Sequence, residues 1–225
     1  MVQSVCVVGA GRVGSAVAAR LEERGVELRA TSTELHVLCV PDRAIPEVAA
    51  SIEPGPWIAH VSGATPLTAL APHERRFSVH PLQTFVPWRG PEQLDGAFAA
   101  VTAESDEARA LALELARVLG LEPFELADAD RPLYHTAAAF ACGHLVALHR
   151  VASSLLEEVH APPEALLPLM RRTIENGFEL TGPIERGDWE TVDAHIRALR
   201  ERRPDLEPLY RMLAGFLAPS LGRRA

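Results

Sequence analysis

Residues 4–14 read SVCVVGAGRVG, and this stretch decides the fold of the first part of the chain. Its apolar start predicts a buried strand, and the glycines that follow have the spacing Gly-x-Gly-x-x-Gly at the start of an amphipathic segment. Gly9 allows a tight turn, Gly11 leaves the backbone open to a phosphate, and Gly14 lets a helix approach the sheet. Free N–H groups and the positive end of a helix dipole meet there, so the stretch predicts a pyrophosphate site and a dinucleotide.

The same spacing also occurs where a glycine turn only packs a strand against a helix. In this chain Val13, Val17 and Leu21 recur at helical spacing after the turn, and Gly25 is placed to end the helix. The motif therefore has both a strand before it and a helix after it, which favours the dinucleotide interpretation.

Composition limits the classes of protein that fit. The chain has 225 residues, 48% of them hydrophobic, and a net charge of −8. The acidic balance argues against nucleic acid and anionic membranes as partners, and we expect no apolar run to reach the ~18 residues that a membrane span needs. Three cysteines without Cys-x-x-Cys spacing fit a reducing compartment, so the prediction is a cytoplasmic protein.

Strand-like runs recur along the first 126 residues, with helical patterns between several of them. This alternation predicts an α/β fold with a parallel sheet of the Rossmann type. After the first strand the runs are residues 36–40, 57–61, 77–80, 98–102 and 123–126. Beyond them the pattern is helical only. We therefore predict a Rossmann-like dinucleotide-binding domain, residues 1–126, and an all-helical domain for substrate binding and dimerisation, residues 127–225.

The predicted sheet is shortened between its second and fourth strands. The second strand lies around residues 26–29, and the next buried strand begins at His36. At ~3.3 Å per residue, residues 30–35 span only ~20 Å, enough for an extended pass and too short for the usual crossover helix. The adenosine side of the site should therefore be reduced or open.

Polar residues follow two of the predicted strands at their carboxyl ends. His60 lies at the end of one strand with Ser62 just after it, and His80 ends the next. Ligands of open parallel sheets bind beyond these ends, so the side chains should face the site that the glycine turn creates. His80 could protonate a carbonyl or an imine, although a histidine can also close a strand end structurally. Tyr134 and His135 add a further candidate where the chain passes from sheet to helices.

A histidine metal site is the competing interpretation of His60, His80, His135 and His144. No pair among them has the i, i+4 spacing of helical ligands, and His135 and His144 are nine residues apart on opposite faces of one helix. The sequence therefore predicts no metal site.

The second half contains a segment that is apolar nearly all round, residues 136–148. Such a helix has to be covered on more than one side, and in a domain this small a second subunit is the natural cover. The segment predicts a homodimer formed through the helical domain.

Taken together, these segments resemble a family of short bacterial Rossmann-like oxidoreductases. The family is related to pyrroline-5-carboxylate reductase and the 6-phosphogluconate dehydrogenase-like proteins and carries a C-terminal helical domain of unknown function. The resemblance rests on GAGRVG at 9–14, VPD at 40–42, HVSGA at 60–64, HPLQTF at 80–85, YHTAA at 134–138 and LTGPIERGD at 180–188, with His195 following.

The resemblance implies a homodimeric, NAD(P)-dependent oxidoreductase that reduces a small carbonyl or imine compound, either a 2-oxo acid such as ketopantoate or a cyclic imine. His80 or His135 would donate the proton, and Ser62 would donate a hydrogen bond to the carbonyl. The cofactor, NADP in preference to NAD, would be held by Gly9, Gly11, Arg12, Val13, Gly14, Val40 and Pro41.

The chain departs from the family pattern in two places. Ser32, Thr33 and Glu34 stand where such folds place the residue that reads the ribose or its 2′-phosphate. His144 stands where relatives tend to carry an asparagine. The alternative function is therefore a non-catalytic binding or scaffold dimer that kept the Rossmann fold and lost the adenosine site.

Overall fold

The computed structural model describes residues 3–217. The chain divides into two compact units, residues 1–148 and residues 149–225. The first unit contains a seven-stranded sheet with the order β2-β1-β3-β4-β5-β6-β7. Its strands are β1 (Ser4–Val8), β2 (Glu27–Leu28), β3 (Leu35–Leu38), β4 (Trp57–His60), β5 (Arg76–Pro81), β6 (Phe98–Ala103) and β7 (Glu122–Glu125).

The predicted Rossmann-type sheet is confirmed as a mostly parallel one. β1 to β5 run in the same direction, whereas β6 pairs antiparallel with β5 and parallel with β7. The reversal arises because the connection after β5 contains only a 3₁₀ turn, Pro91–Leu94, and no crossover helix. The Leu82 N–H donates to the Phe98 carbonyl at 2.8 Å, so β6 starts beside the end of β5 and runs back along it.

Helices cover the sheet where the apolar periodicity predicts them. They are α1 (Arg12–Glu23), α2 (Ile45–Ala50) and α3 (Asp106–Val118). Val17 and Leu21 of α1 are buried against the sheet. Ser105 caps α3 by accepting a hydrogen bond from the Ala108 N–H at 3.1 Å. Arg20 of α1 is buried and paired with Asp95, which ties α1 to the connection after β5.

The shortening on one side of β1 is also confirmed. β2 pairs only with Ser4 and Val5, and the chain then turns back instead of continuing along the edge of β1. The Thr33 hydroxyl donates to the Ser4 carbonyl at 2.8 Å, and the Glu34 N–H donates to the same oxygen at 3.2 Å. The connection therefore returns past the amino end of β1, and β3 pairs directly with the other side of that strand.

After β7 the described chain is helical. The helices are α4 (Arg131–Ala139), α5 (Leu145–Glu158), α6 (Leu166–Glu175), α7 (Trp189–Arg202) and α8 (Glu207–Leu217), and a π-helical turn, Phe140–His144, joins α4 to α5. Strands end at Glu125, close to the predicted domain boundary, yet the compact units divide at Leu148. α4 belongs to the sheet unit because Arg131, at its first turn, is bonded to groups on the sheet.

The continuous helical stretch Asp128–Glu158 is long and apolar enough, by length and composition alone, to cross a membrane. The expectation that no stretch of this kind occurs is therefore not met. None of its most apolar window is buried among the described residues, and Leu133 and Phe140 are 76% and 64% exposed. A helix that packs against a second protein surface has the same length and composition. The stretch Asp128–Glu158 therefore carries an apolar face that is uncovered among the described residues.

Candidate functional site

The glycine turn has the geometry that a pyrophosphate requires. Gly9 has a φ of +115°, and a side chain there would overlap the carbonyl of Cys39. A side chain at Gly14 would overlap the Gly9 carbonyl oxygen, so this residue lets α1 sit against the turn. A Cβ at Gly11 would meet no atom within 4 Å, which leaves the space beyond it open.

The first turn of α1 leaves donors available for that space. Gly11 is the N-cap of α1 and supplies no side-chain cap, and the first turn carries no acidic residue. The first N–H groups of a helix have no partner within the helix, so they point at whatever lies beyond Gly11. The turn therefore fits a dinucleotide pyrophosphate on its own geometry.

The other residues predicted to bind the cofactor lie in different environments. Val40 lies beside the turn, with its Cγ1 3.3 Å from the position that a Cβ of Gly9 would take, and Pro41 follows it before a 3₁₀ turn. Val13 packs on the core instead. The Arg12 side chain is exposed, and its Nη1 donates to the Phe85 carbonyl at 3.4 Å. Arg12 thus reaches from the glycine turn toward the connection after β5.

A groove of about 410 Å³ lies on the β2 side of the glycine turn. Its walls come from residues 5–7 of β1, from the glycine turn and α1, and from residues 28–30. We call it the β1 groove. Arg29 lines it and pairs with Glu27 at 2.7 Å. Thr33 and Glu34 are held at the amino end of β1, away from the turn, because the chain doubles back after Ala30. The positions expected to read the ribose are therefore out of its reach, and Arg29 is the basic residue on the groove wall.

A second cavity, of about 590 Å³, lies where β5 ends. It is lined by His80, by residues 82–84 after β5, by Tyr134 and His135, and by small residues between Ala137 and Gly143. We call it the His80 cavity. Two of the predicted site residues, His80 and His135, are thus brought together, with ring centroids 6.2 Å apart. Gly63 lies between them, since a Cβ there would stand 2.8 Å from both rings.

His80 is hydrogen-bonded to a residue that the sequence marks less clearly. Its Nδ1 lies 2.7 Å from the Tyr134 hydroxyl, and the two rings meet edge to face at 5.5 Å. Burial, followed by the charges of His135 and Arg131, lowers the pKa of His80 to about 4. Burial raises the pKa of Tyr134 to about 12, against a smaller opposing effect of Arg131. At pH 7 both groups are therefore neutral.

Ser62 and His60 lie nearby but outside the lining of the His80 cavity. The Ser62 hydroxyl accepts hydrogen bonds from the N–H groups of Ala64 and Thr65, and its hydrogen is directed to the Thr65 hydroxyl at 2.9 Å. This local turn uses its donor, so the predicted bond to a substrate carbonyl would require Ser62 to leave it. His60 is fully buried; its Nδ1 accepts from the Ser62 N–H at 3.2 Å. Burial first, then Arg131 and His80, lowers its pKa to about 3.

Arg131 holds this part of the site together, and sequence reasoning missed it. Its side chain is fully buried. Nε donates to Asp128 at 2.7 Å, Nη1 donates to the Ser62 carbonyl at 3.0 Å, and Nη2 donates to the Ser78 hydroxyl. The guanidinium thus joins the loop after β4 and the middle of β5 to α4, three residues before Tyr134. The only local signal is an aspartate at i−3, which is common on any helix surface.

His144 lies apart from the other candidate histidines. His144 is exposed, stacks on Phe140 at 4.5 Å, and does not line the His80 cavity. Among residues 3–217, no three His, Cys, Asp or Glu side chains are grouped so that they could hold a metal ion.

Solved structures share this fold over nearly the whole chain. A candidate NADP oxidoreductase from Bacteroides fragilis has a TM-score of 0.78 at 22% identity, covering 99% of this chain and 98% of that one. Protein TM1727 of Thermotoga maritima also has a TM-score of 0.78, at 20% identity, covering 97% and 98%. The 1-pyrroline-5-carboxylate reductase of Streptococcus pyogenes has a TM-score of 0.62 at 13% identity, covering 97% of both chains. At these identities the likeness shows the fold alone.

The family follows from the sequence itself. No curated protein matches the chain. The family model described as a domain of unknown function, DUF2520, matches residues 97–215, from the start of the antiparallel edge of the sheet into α8. This match covers more than half of the chain, and the chain therefore belongs to the DUF2520 family.

Proposed function

We propose that this protein is an NAD(P)-dependent oxidoreductase that reduces a small carbonyl or imine compound. The observation that carries the proposal is the pairing of two features in one unit. The glycine turn at the carboxyl end of β1 is open to a pyrophosphate beyond Gly11, and the His80 cavity at the end of β5 carries polar groups able to act on a substrate.

Each part of the chain has a distinct task in this reaction. A bound reduced nicotinamide supplies the hydride that the carbonyl or imine carbon receives. The N–H groups of the first turn of α1 hold the pyrophosphate, and Val40 lies beside the turn. Small residues from Ala137 to Gly143 shape one wall of the cavity and limit the size of the substrate. His80, Tyr134 and His135 are the proton-carrying groups of the cavity lining.

For the substrate we propose a 2-oxo acid such as ketopantoate or a cyclic imine. The similarity in fold to a 1-pyrroline-5-carboxylate reductase supports the imine. For the cofactor we propose NADP in preference to NAD, because Arg29 is a cation on the wall of the β1 groove and could pair with a 2′-phosphate. Glu27, which holds Arg29 at 2.7 Å, would have to yield to that phosphate.

We also propose that the protein is a cytoplasmic homodimer. The uncovered apolar face on α4 and the π turn, with Leu133 and Phe140 exposed, is the surface that a second copy would cover. The three cysteines are free thiols, which fits a reducing compartment.

The test is a titration of the purified protein with NADPH and NADH, followed by fluorescence and thermal shift. Binding below ~1 mM, equivalent to ~4 kcal/mol of affinity, is expected for at least one of them. Reduction of ketopantoate, 1-pyrroline-5-carboxylate and simple aldehydes is then measured by loss of absorbance at 340 nm. Absence of binding by both dinucleotides would remove the oxidoreductase proposal.

A non-catalytic binding dimer is the second candidate, and a specific observation favours it. β2 has only two residues, so the strand that normally supports the adenosine is nearly absent. This candidate predicts a stable dimer that binds neither dinucleotide, so the same titration separates the two functions.

A further inference from the structure

The hydroxyl of Tyr134 is held in place at the wall of the His80 cavity. Its oxygen lies 2.7 Å from His80 Nδ1, and its ring packs edge to face against Phe124 at 5.9 Å as well as against His80. The residue is half-buried, so the ring is fixed while the cavity still reaches the hydroxyl. Arg131, three residues earlier on α4, is anchored to the loop after β4 and to Ser78 of β5, and it sets the position of this helix turn.

His80 by itself is poorly suited to give up a proton. Its pKa is lowered to about 4, mainly by burial, so at pH 7 the ring is neutral. The N–H of a neutral imidazole is a very weak acid, but it is a good hydrogen-bond donor to an oxygen that gains negative charge. The geometry therefore separates two tasks, donation of a proton and support of the group that donates it.

We propose that the Tyr134 hydroxyl is the proton donor of the reduction and that His80 is its positioning residue. The proposal rests on the proposed function, which it deepens. In the working arrangement, the Nδ1–H of His80 donates to the Tyr134 oxygen. This leaves the hydroxyl hydrogen of Tyr134 free to point into the cavity, toward the oxygen or nitrogen of the substrate.

The step balances without any further reactant. As the hydride adds to the carbon, the π electron pair of the C=O or C=N bond moves to the oxygen or nitrogen. That atom takes the proton of Tyr134, which forms the O–H or N–H bond of the product and leaves a phenolate. Water from the open cavity then returns a proton to the phenolate. The phenolate is stabilised meanwhile by the His80 N–H and by the positive charge of Arg131.

The chain contains its own matched control. It has two tyrosines, and the second, Tyr210, makes the same contact elsewhere: its hydroxyl lies 2.8 Å from His195 Nδ1 with the rings edge to face at 5.8 Å. Tyr134→Phe and Tyr210→Phe therefore each remove one hydroxyl bonded to one histidine. We expect Tyr134→Phe to lower kcat by about 100-fold with NADPH binding unchanged, and Tyr210→Phe to keep kcat within a few-fold.

The dependence of rate on pH separates tyrosine from histidine as the donor. A tyrosine whose pKa is about 12 is protonated throughout the neutral range, so kcat/KM for reduction should be flat from about pH 6 to 10. A histidinium donor would give a rate that falls tenfold per pH unit above its pKa. Such a fall in the wild type, or a wild-type kcat in Tyr134→Phe, overturns the assignment of the proton donor to Tyr134. The proposed function is still supported in that case, as long as the protein binds a dinucleotide and turns over substrate.

A spectroscopic measurement tests the His80 contact without turnover. In Tyr210→Phe the single tyrosine is Tyr134, so phenolate absorbance at high pH reports it directly. If His80 donates to the Tyr134 oxygen, adding His80→Phe removes a bond that favours the phenolate, and its formation moves to higher pH. A move to lower pH, or none, would show that His80 does not support the phenolate, and would overturn its role as positioning residue. Failure of the wild type to bind NADPH or NADH would instead reject the proposed function.

Discussion

Arg131 donates a hydrogen bond of 3.0 Å from Nη1 to the carbonyl oxygen of Ser62, which lies 69 residues earlier in the chain. This bond joins the first turn of α4 to the loop that follows β4. Because the guanidinium is fully buried, each of its three nitrogens needs a partner, and Asp128, Ser62 and Ser78 provide them. The His80 cavity therefore depends on one buried cation that does not line it.

Arg131→Met should destabilise the protein by about 3–5 kcal/mol, because it leaves Asp128 without its charged partner and the Ser62 carbonyl without its donor. Urea denaturation measures the loss. Arg172→Met is the matched control, since Arg172 and its partner Glu175 are 71% and 48% exposed, and it should change stability by less than ~0.5 kcal/mol. Equal effects of the two changes would contradict the anchoring role of Arg131.

Gly11→Ala and Gly14→Ala should separate phosphate binding from stability. The added methyl at Gly11 meets no protein atom within 4 Å, so the midpoint of unfolding should hold within a few degrees while NADPH affinity falls at least ~10-fold. The methyl at Gly14 overlaps the Gly9 carbonyl, so Gly14→Ala should cost about 1–3 kcal/mol of stability and affinity as well. Unchanged NADPH affinity in Gly11→Ala would place the phosphate elsewhere.

Arg29→Gln should weaken NADPH binding more than NADH binding, because only the 2′-phosphate would pair with the guanidinium in the β1 groove. Glu27→Gln should have the opposite effect and tighten NADPH binding, since it frees Arg29 from its 2.7 Å partner. Titration of both variants with both dinucleotides measures the ratio. An equal loss for NADPH and NADH in Arg29→Gln would mean that Arg29 does not read the 2′-phosphate.

His60 should make the protein less stable in acid. Its pKa is about 3 in the folded protein and near 6.5 in the unfolded chain, so between these values the unfolded state binds a proton that the folded state does not. Above pH 6.5 the neutral His60 therefore does not lower the free energy of unfolding. As the pH falls from 6.5 toward 3, protonation of the unfolded state lowers that free energy by up to ~1.4 kcal/mol per pH unit. In urea titrations at pH 7, 5.5 and 4.5, His60→Asn should show a shallower decline than wild type. His160→Asn, at an exposed site, should decline as the wild type does.

Leu133→Asp and Phe140→Asp should convert the proposed dimer to a monomer, because each places a charge in the apolar face that a second copy would cover. Sedimentation velocity measures the mass. Trp88→Asp is the control, since Trp88 is 79% exposed and lies on the connection after β5. A wild-type monomer that floats with lipid vesicles would show that a membrane covers this face instead.

Much of the fold follows from local patterns. Short stretches of sequence determine three of its features: the strand and glycine turn at residues 4–14, the capped helix α3, and the absence of a crossover helix between β2 and β3. In each of them the side-chain period, the turn residues or the length of the connection decides the outcome. The antiparallel edge was not predictable in this way. The direction of β6 depends on the path of the connection after β5. The alternation of side chains within β6 carries no information about that path.

The candidate site was predictable only in part. His80 and His135 were expected and do line one cavity, but the contact of His80 with Tyr134 spans 54 residues and had no local signal. Arg29 lines the β1 groove because the chain doubles back after Ala30 and holds Thr33 and Glu34 at the amino end of β1.

By itself the sequence determined the Rossmann-type strand–turn–helix and the absence of a crossover helix between β2 and β3, because glycine conformation, strand period and the reach of a six-residue connection are properties of neighbouring residues. Only the tertiary structure decided that Arg131 is buried and that Tyr134 meets His80. These outcomes depend on which buried polar groups find partners across the fold, and that matching is set when the elements pack together.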